Sequence, residues 1–178
     1  HPLIVGDGAG GAIVAWYDQR SGSYDVYAQH VLASGVVDGA WPVNGRALCT
    51  TGSDQFSTTM VADGAGGALV AWYDYRSGIA DIYAQHVLAS GAVDGAWPAN
   101  GQALCTFGGQ QYYPQMIGDG AGGAMVTWYD FRTGDAGVYA AHLLASGVVD
   151  GAWPADGRAI CTAAGDQVVP RLDRKSVV

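Results

Sequence analysis

Asp63-Gly64-Ala65-Gly66-Gly67-Ala68-Leu69-Val70-Ala71-Trp72-Tyr73-Asp74 is the stretch that decides the fold. Its first five residues are a tight turn, because glycine supplies the positive φ that short hairpins require. Ala68–Tyr73 is apolar on both sides of a period-2 alternation. A strand apolar on both faces is sandwiched between two layers. Upstream, Ser57–Ala62 completes a hairpin with it. Downstream, Arg76-Ser77-Gly78 reads as a turn, Asp81–Leu88 as a third strand and Ser90-Gly91 as another turn. A shorter fourth piece is expected at Val93–Trp97, followed by the turn Pro98–Gly101. Gln102–Cys105 then either extends the fourth strand or links to the next unit.

The whole unit recurs. At an offset of 56 residues, Asp7–Thr50 matches Asp63–Thr106 at 36 of 44 positions and Asp119–Thr162 at 32 of 44. Trp16, Trp72 and Trp128 correspond, as do Trp41, Trp97 and Trp153, and Cys49, Cys105 and Cys161. Four short antiparallel strands per repeat, covered on both faces, describe a blade of a β-propeller. The expected fold is therefore all-β, with blades at residues 1–56, 57–112 and 113–168, and the start of a fourth repeat at 169–172. A three-fold pseudo-symmetric barrel is the rival architecture; a β-helix coil is too short for this period. The repeat breaks after Leu172. Asp173–Val178 is the translation of a common sequencing-library adapter and is read as a cloning or assembly artefact. With His1-Pro2 in place of an initiating Met, the chain reads as a fragment cut at both ends.

Composition agrees with strands. All sixteen acids are Asp and the one Lys is Lys175, while Val, Trp and Tyr are common. The net charge of −8 argues against nucleic acid, whose phosphates need a basic surface. No apolar run approaches the ~20 residues of a membrane helix.

The units resemble the highly repetitive propeller blades of secreted bacterial proteins. The residues that carry the likeness are Asp63–Ala68, Trp72-x-Asp74-x-Arg76, Tyr83-Ala84-Gln85 and Trp97-Pro98-x-Asn100-Gly101, over about residues 1–172. The resemblance implies the propeller fold and export to the cell surface or beyond; it implies no activity. Ser90–Trp97 also resembles the Asp-box of sialidases, but its spacing departs from that motif and no sialidase residue is carried over.

The chemistry-bearing residues read mostly as structure. The cysteines read as small buried side chains, since matching positions in neighbouring blades exceed the ~7 Å Cα reach of a disulfide. His30, His86 and His142 lack further ligands at metal-binding spacing and read as blade-packing residues. The Asp-Gly-Ala-Gly-Gly loops lack the helix of a phosphate loop and the pattern of a calcium loop. Asp18/Arg20, Asp74/Arg76 and Asp130/Arg132 share a strand face, as ion pairs stitching blades together or as a polar ring about a central pocket. No nucleophile elbow, Ser-His-Asp order or isolated carboxylate pair is present, so neither an enzyme nor a cofactor or metal is expected.

Differences between copies gather near the second turn and the inter-blade link, on one expected face. There Gln19, Tyr75 and Phe131 alternate, beside Arg20, Arg76 and Arg132, with Tyr24 and Tyr112 nearby. These eight residues are the expected ligand site, for a glycan or a protein. The expected function is a secreted or cell-surface binding module, with an architectural spacer as the alternative and a glycosidase-like enzyme a distant third. Three blades leave two sandwich faces bare, so the chain is expected to self-associate until a ring closes.

Overall fold

The computed structural model describes residues 1–167. The expected fourth repeat and the expected artefact at 173–178 lie outside the described residues. Three four-stranded antiparallel sheets make up the chain. The first holds β1 (Leu3–Gly6), β2 (Ala12–Asp18), β3 (Asp25–Val31) and β4 (Arg46–Cys49) in that order. The second holds β5 (Gln55–Ala62), β6 (Ala68–Asp74), β7 (Asp81–Val87) and β8 (Gln102–Cys105). The third holds β9 (Gln111–Gly118), β10 (Ala124–Thr133), β11 (Asp135–Leu143) and β12 (Arg158–Cys161). The sheets stack face to face in sequence, and their first strands, β1, β5 and β9, run beside one another. This is a β-propeller arc of three blades with β1, β5 and β9 innermost, not a barrel closed by one continuous sheet.

The period-2 pattern of Ala68–Tyr73 partitions as a sandwiched strand must. Ala68, Val70 and Trp72 pack against the first blade, with Ile13, Ala15 and Val26. Leu69, Ala71 and the partly buried Tyr73 pack against the third, with Val126 and Trp128. Each Gly-rich loop is the expected hairpin. Gly64 and Gly66 have φ of 81° and 90°, and Asp63 Oδ1 accepts the N–H of Ala65 (2.7 Å) and of Gly67 (2.8 Å).

The fourth strand differs from expectation. Val93 makes a single bridge to Val87, and the strand proper is Gln102–Cys105, paired to Ile82–Ala84. Between them Gly95–Gly101 leaves the sheet edge. The cause is Trp97, which abandons the strand to cover Gly147 of the next blade. The two segments are thus one interrupted outer strand. The inner strand also starts earlier than expected, at Gln55 and Gln111, and carries a bulge. At that bulge Ser57 and Tyr113 both adopt φ of 53°.

Candidate functional site

The bulge re-aims the ends of the inner strands. Bulges commonly redirect side chains beside functional sites, and left-handed backbone at a non-glycine residue carries strain. Here they bring together the aromatics of the second turns. Tyr24 meets Tyr17 and Phe56, with ring centroids 5.6 and 4.9 Å apart. Phe56 meets Tyr73 (5.8 Å) and Tyr75 (6.3 Å). Tyr73 meets Tyr112 (5.1 Å) and Tyr113 (6.0 Å). Tyr112 meets Phe131 (6.1 Å), and Tyr113 meets Tyr129 (5.7 Å). Nine rings from three blades form one unbroken collar at the second-turn end of the arc. Most pairs meet edge to face, the arrangement favoured by the ring quadrupole.

The collar borders a cavity of about 270 Å³ lined by His1, Leu3, Tyr17, Phe56, Ser57, Thr58, Tyr73 and Tyr113. Tyr113 is 52% exposed, the most open ring of the group. The buried Thr58 hydroxyl has no hydrogen-bond partner among the described residues. Burial pushes the Tyr73 phenol up to about 12. Burial, with the Tyr75 hydroxyl 3.4 Å away adding to it, does the same to Tyr112. These phenols are neutral hydrogen-bonding groups at ordinary pH.

The expected site residues divide between two places. Tyr24, Tyr75, Tyr112 and Phe131 belong to the collar. Gln19 is exposed at the first blade's second turn and is not among the residues lining the cavity; Tyr24 takes the aromatic role there, where the other copies have Ala80 and Ala136. The arginines do not line the cavity. Arg76 bonds Asp74 (2.6 Å) and the Asn100 carbonyl (2.8 Å), and its guanidinium lies 3.7 Å over the Tyr83 ring. It also reaches Cys49 Sγ of the preceding blade at 3.2 Å. Arg132 repeats every contact, with Asp130, Asp156, Tyr139 and Cys105. Arg20 keeps its bonds to Asp18 and Asn44 and its place over Tyr27. The ion pair is internal to a blade, and the stitch between blades runs through the cysteine. Burial pushes the Cys49 and Cys105 thiols up to about 12, so both remain protonated.

Sequence reasoning missed Tyr17, Tyr73, Tyr113 and Tyr129, and it left Phe56 out of the site. Tyr17, Tyr73 and Tyr129 are constant in the Trp-Tyr-Asp triplet and read as strand filler. Alternation could have found them, since Tyr73 must face away from Trp72.

At the other end of each blade the histidines make contacts the sequence did not disclose. His30 Nδ1 lies 2.8 Å from Asp38 and Nε2 2.9 Å from Asp7. His86 is held between Asp94 and Asp63, and His142 between Asp150 and Asp119. No group of three or more metal-ligating side chains is assembled among the described residues.

No family model matches the chain, and no curated protein matches it in sequence. Among solved structures it is similar to an endo-arabinase from Bacteroides thetaiotaomicron, with a TM-score of 0.56 and 16% identity. That alignment covers 90% of this chain and 61% of the endo-arabinase, so the chain spans less than two thirds of its neighbour's length. At this identity the likeness is one of fold.

Proposed function

We propose that the chain is a non-enzymatic carbohydrate-binding module of a secreted or cell-surface protein, with the aromatic collar as its binding surface. The observation that carries this reading is the collar beside its cavity. Tyrosine and phenylalanine offer rigid apolar faces to the C–H faces of a sugar ring, while phenol and hydroxyl groups bond its hydroxyls. Thr58 supplies an unpaired hydroxyl at the cavity wall. The net charge of −8 disfavours anionic polymers and points to a neutral oligosaccharide. The similar solved structure is by its title an endo-arabinase, a carbohydrate-acting protein, and this likeness of fold supports a carbohydrate ligand here.

Binding is preferred to hydrolysis because glycosidases need two carboxyl groups flanking the bond. The cavity is lined by aromatic, hydroxyl and aliphatic side chains together with His1. Asp18, Asp74 and Asp130, at the ends of the Trp-Tyr-Asp triplets, are each held by their own blade's Trp and Arg.

Calorimetric titration with a panel of neutral oligosaccharides, arabino-oligosaccharides included, tests the proposal. Saturable binding is expected for at least one member, weakened about tenfold or more by Tyr113→Ala, Tyr75→Ala or Phe131→Ala. The exposed Tyr113 should be removable with little change in melting temperature. Undiminished binding by all three variants, or no binding by the wild type, rejects the collar as the site.

A further inference from the structure

Left-handed backbone in this chain is given mostly to glycine. Among the described residues eighteen glycines have positive φ, and Asn44, Asn100 and Asp156, residue types that tolerate it, account for three of the five other cases. The remaining two are Ser57 and Tyr113, both at φ of 53°. They stand at matching positions of the repeat, in the same bulge of the inner strand. Ser57 and Thr58 fall where the partner strand has only Trp72, and Tyr113 and Pro114 where it has only Trp128. A glycine would hold this backbone without strain, so the side chains kept there point to a use.

The two bulges bring opposite chemistry to one cavity. Ser57 and Thr58 line its wall with two hydroxyls, and the buried Thr58 hydroxyl has no partner among the described residues. A buried hydroxyl left unpartnered costs stability. In the third blade Pro114 takes the place of Thr58, as a bulge allows, since it owes the ladder no N–H there. Tyr113 takes the place of Ser57, and its half-exposed ring lines the same cavity. Hydroxyls from one bulge thus share a space with an aromatic face from the other, while Tyr17 and Tyr73, constant in the repeat, frame both.

We infer that the inner-strand bulge is the selectivity element of the collar: Ser57 and Thr58 bond the hydroxyls along one edge of a neutral sugar ring whose C–H face lies on Tyr113. This rests on the reading of the collar as a carbohydrate surface, and assigns within it the residues that choose the sugar. A hydroxyl both donates and accepts, so the pair matches a sugar's hydroxyls in either role. A site built to bond a hydroxyl rejects a ring that lacks it, because its own polar groups are then left unpaired. The strain at Ser57 and the unpartnered Thr58 hydroxyl are accordingly stability given up for binding. Changing the two bulge residues alters what a blade recognises without altering the strand, the bulge or the constant rings around it.

Calorimetric titration with arabino-, xylo- and gluco-oligosaccharides tests it, read beside the melting temperature of each variant. Thr58→Val keeps the shape and removes the hydroxyl. It should bind the wild type's preferred sugar about three- to tenfold more weakly, the worth of one hydrogen bond, and melt no lower than the wild type. Ser57→Gly should pair weaker binding with an undiminished melting temperature in the same way, because glycine relieves the left-handed backbone. Ser57→Tyr fills the cavity with a side chain that this backbone already carries at Tyr113, and should leave no saturable binding. If Ser57→Tyr does not fold, Thr58→Val decides alone. Wild-type affinity in Thr58→Val and Ser57→Tyr overturns the inference, and leaves the collar standing if Tyr113→Ala is weakened. A Thr58→Val variant that melts lower also overturns it, since the hydroxyl then serves the fold. A wild type that binds none of the sugars removes both readings.

Discussion

The histidine between two aspartates shows how a single residue ties distant turns together. His30 bonds Asp7 in the hairpin before β2 and Asp38 in the loop after β3. A carboxylate on each ring nitrogen favours the form in which both nitrogens donate, the imidazolium cation. Burial alone would lower the pKa of His30, but the two carboxylates outweigh it and raise it. Asp119 and Asp150 act in the same direction on His142. The His30 hydrogen bond is foremost in lowering Asp7, and the Ala40 N–H followed by His30 lowers Asp38. A raised histidine contributes stability that is fully present below its unfolded value of about 6.5 and is lost as pH rises through the folded value. A lowered aspartate contributes stability present above its unfolded value of about 3.9 and lost as pH falls through the folded one. The melting temperature should therefore peak between about pH 4 and 6.5 and fall on both sides. In His30→Gln the fall above pH 6.5 should be shallower; an unchanged alkaline limb would remove the clamp from the explanation. These contacts were not legible in the sequence. Asp63, His86 and Asp94 are separated by 23 and 8 positions, and the β6–β7 pairing and the loop after β7 bring them together.

At the scale of the element, local chemistry was legible and long-range contact was not. The Asp-Gly-Ala-Gly-Gly hairpins could be read because the carboxylate and the amides it caps lie within four residues. The outer strand could not, because what pulls Trp97 out of the edge is Gly147, fifty residues later. Val93–Trp97 is apolar enough to pass for a strand. Arg76 gives the clearest element-scale expectation. It neutralises Asp74, which is fully buried, and anchors β6 to both β7 and the preceding blade. Removing one partner of a buried pair costs about 3–5 kcal/mol; with the Arg76 side chain 21% exposed, the Arg76→Ala cost is about 2–3 kcal/mol. Arg20, exposed and without a cysteine contact, should cost under about 1 kcal/mol. Urea unfolding of the two variants measures both, and equal losses would mean that the inter-blade stitch contributes nothing.

For the molecule as a whole, the 56-residue period disclosed the blades, and the differences between copies pointed to the end of the arc where the aromatic rings gather. The collar itself was only half legible. Tyr75 and Phe131 stood out because they vary, but Tyr73 is constant and its place in the collar depends on how one blade leans on the next. Ten tyrosines divide between two environments that make a built-in control. Seven belong to the collar: Tyr17, Tyr24, Tyr73, Tyr75, Tyr112, Tyr113 and Tyr129. Tyr27, Tyr83 and Tyr139 lie under the arginines, away from the cavity. The most direct measurement is a ring-¹³C tyrosine NMR titration with the tightest-binding neutral oligosaccharide. The collar resonances should shift saturably, Tyr113 and Tyr73 most, while Tyr27, Tyr83 and Tyr139 stay still. Shifts confined to the arginine-covered rings, or no saturable shift with any oligosaccharide of the panel, would contradict the collar as the functional surface.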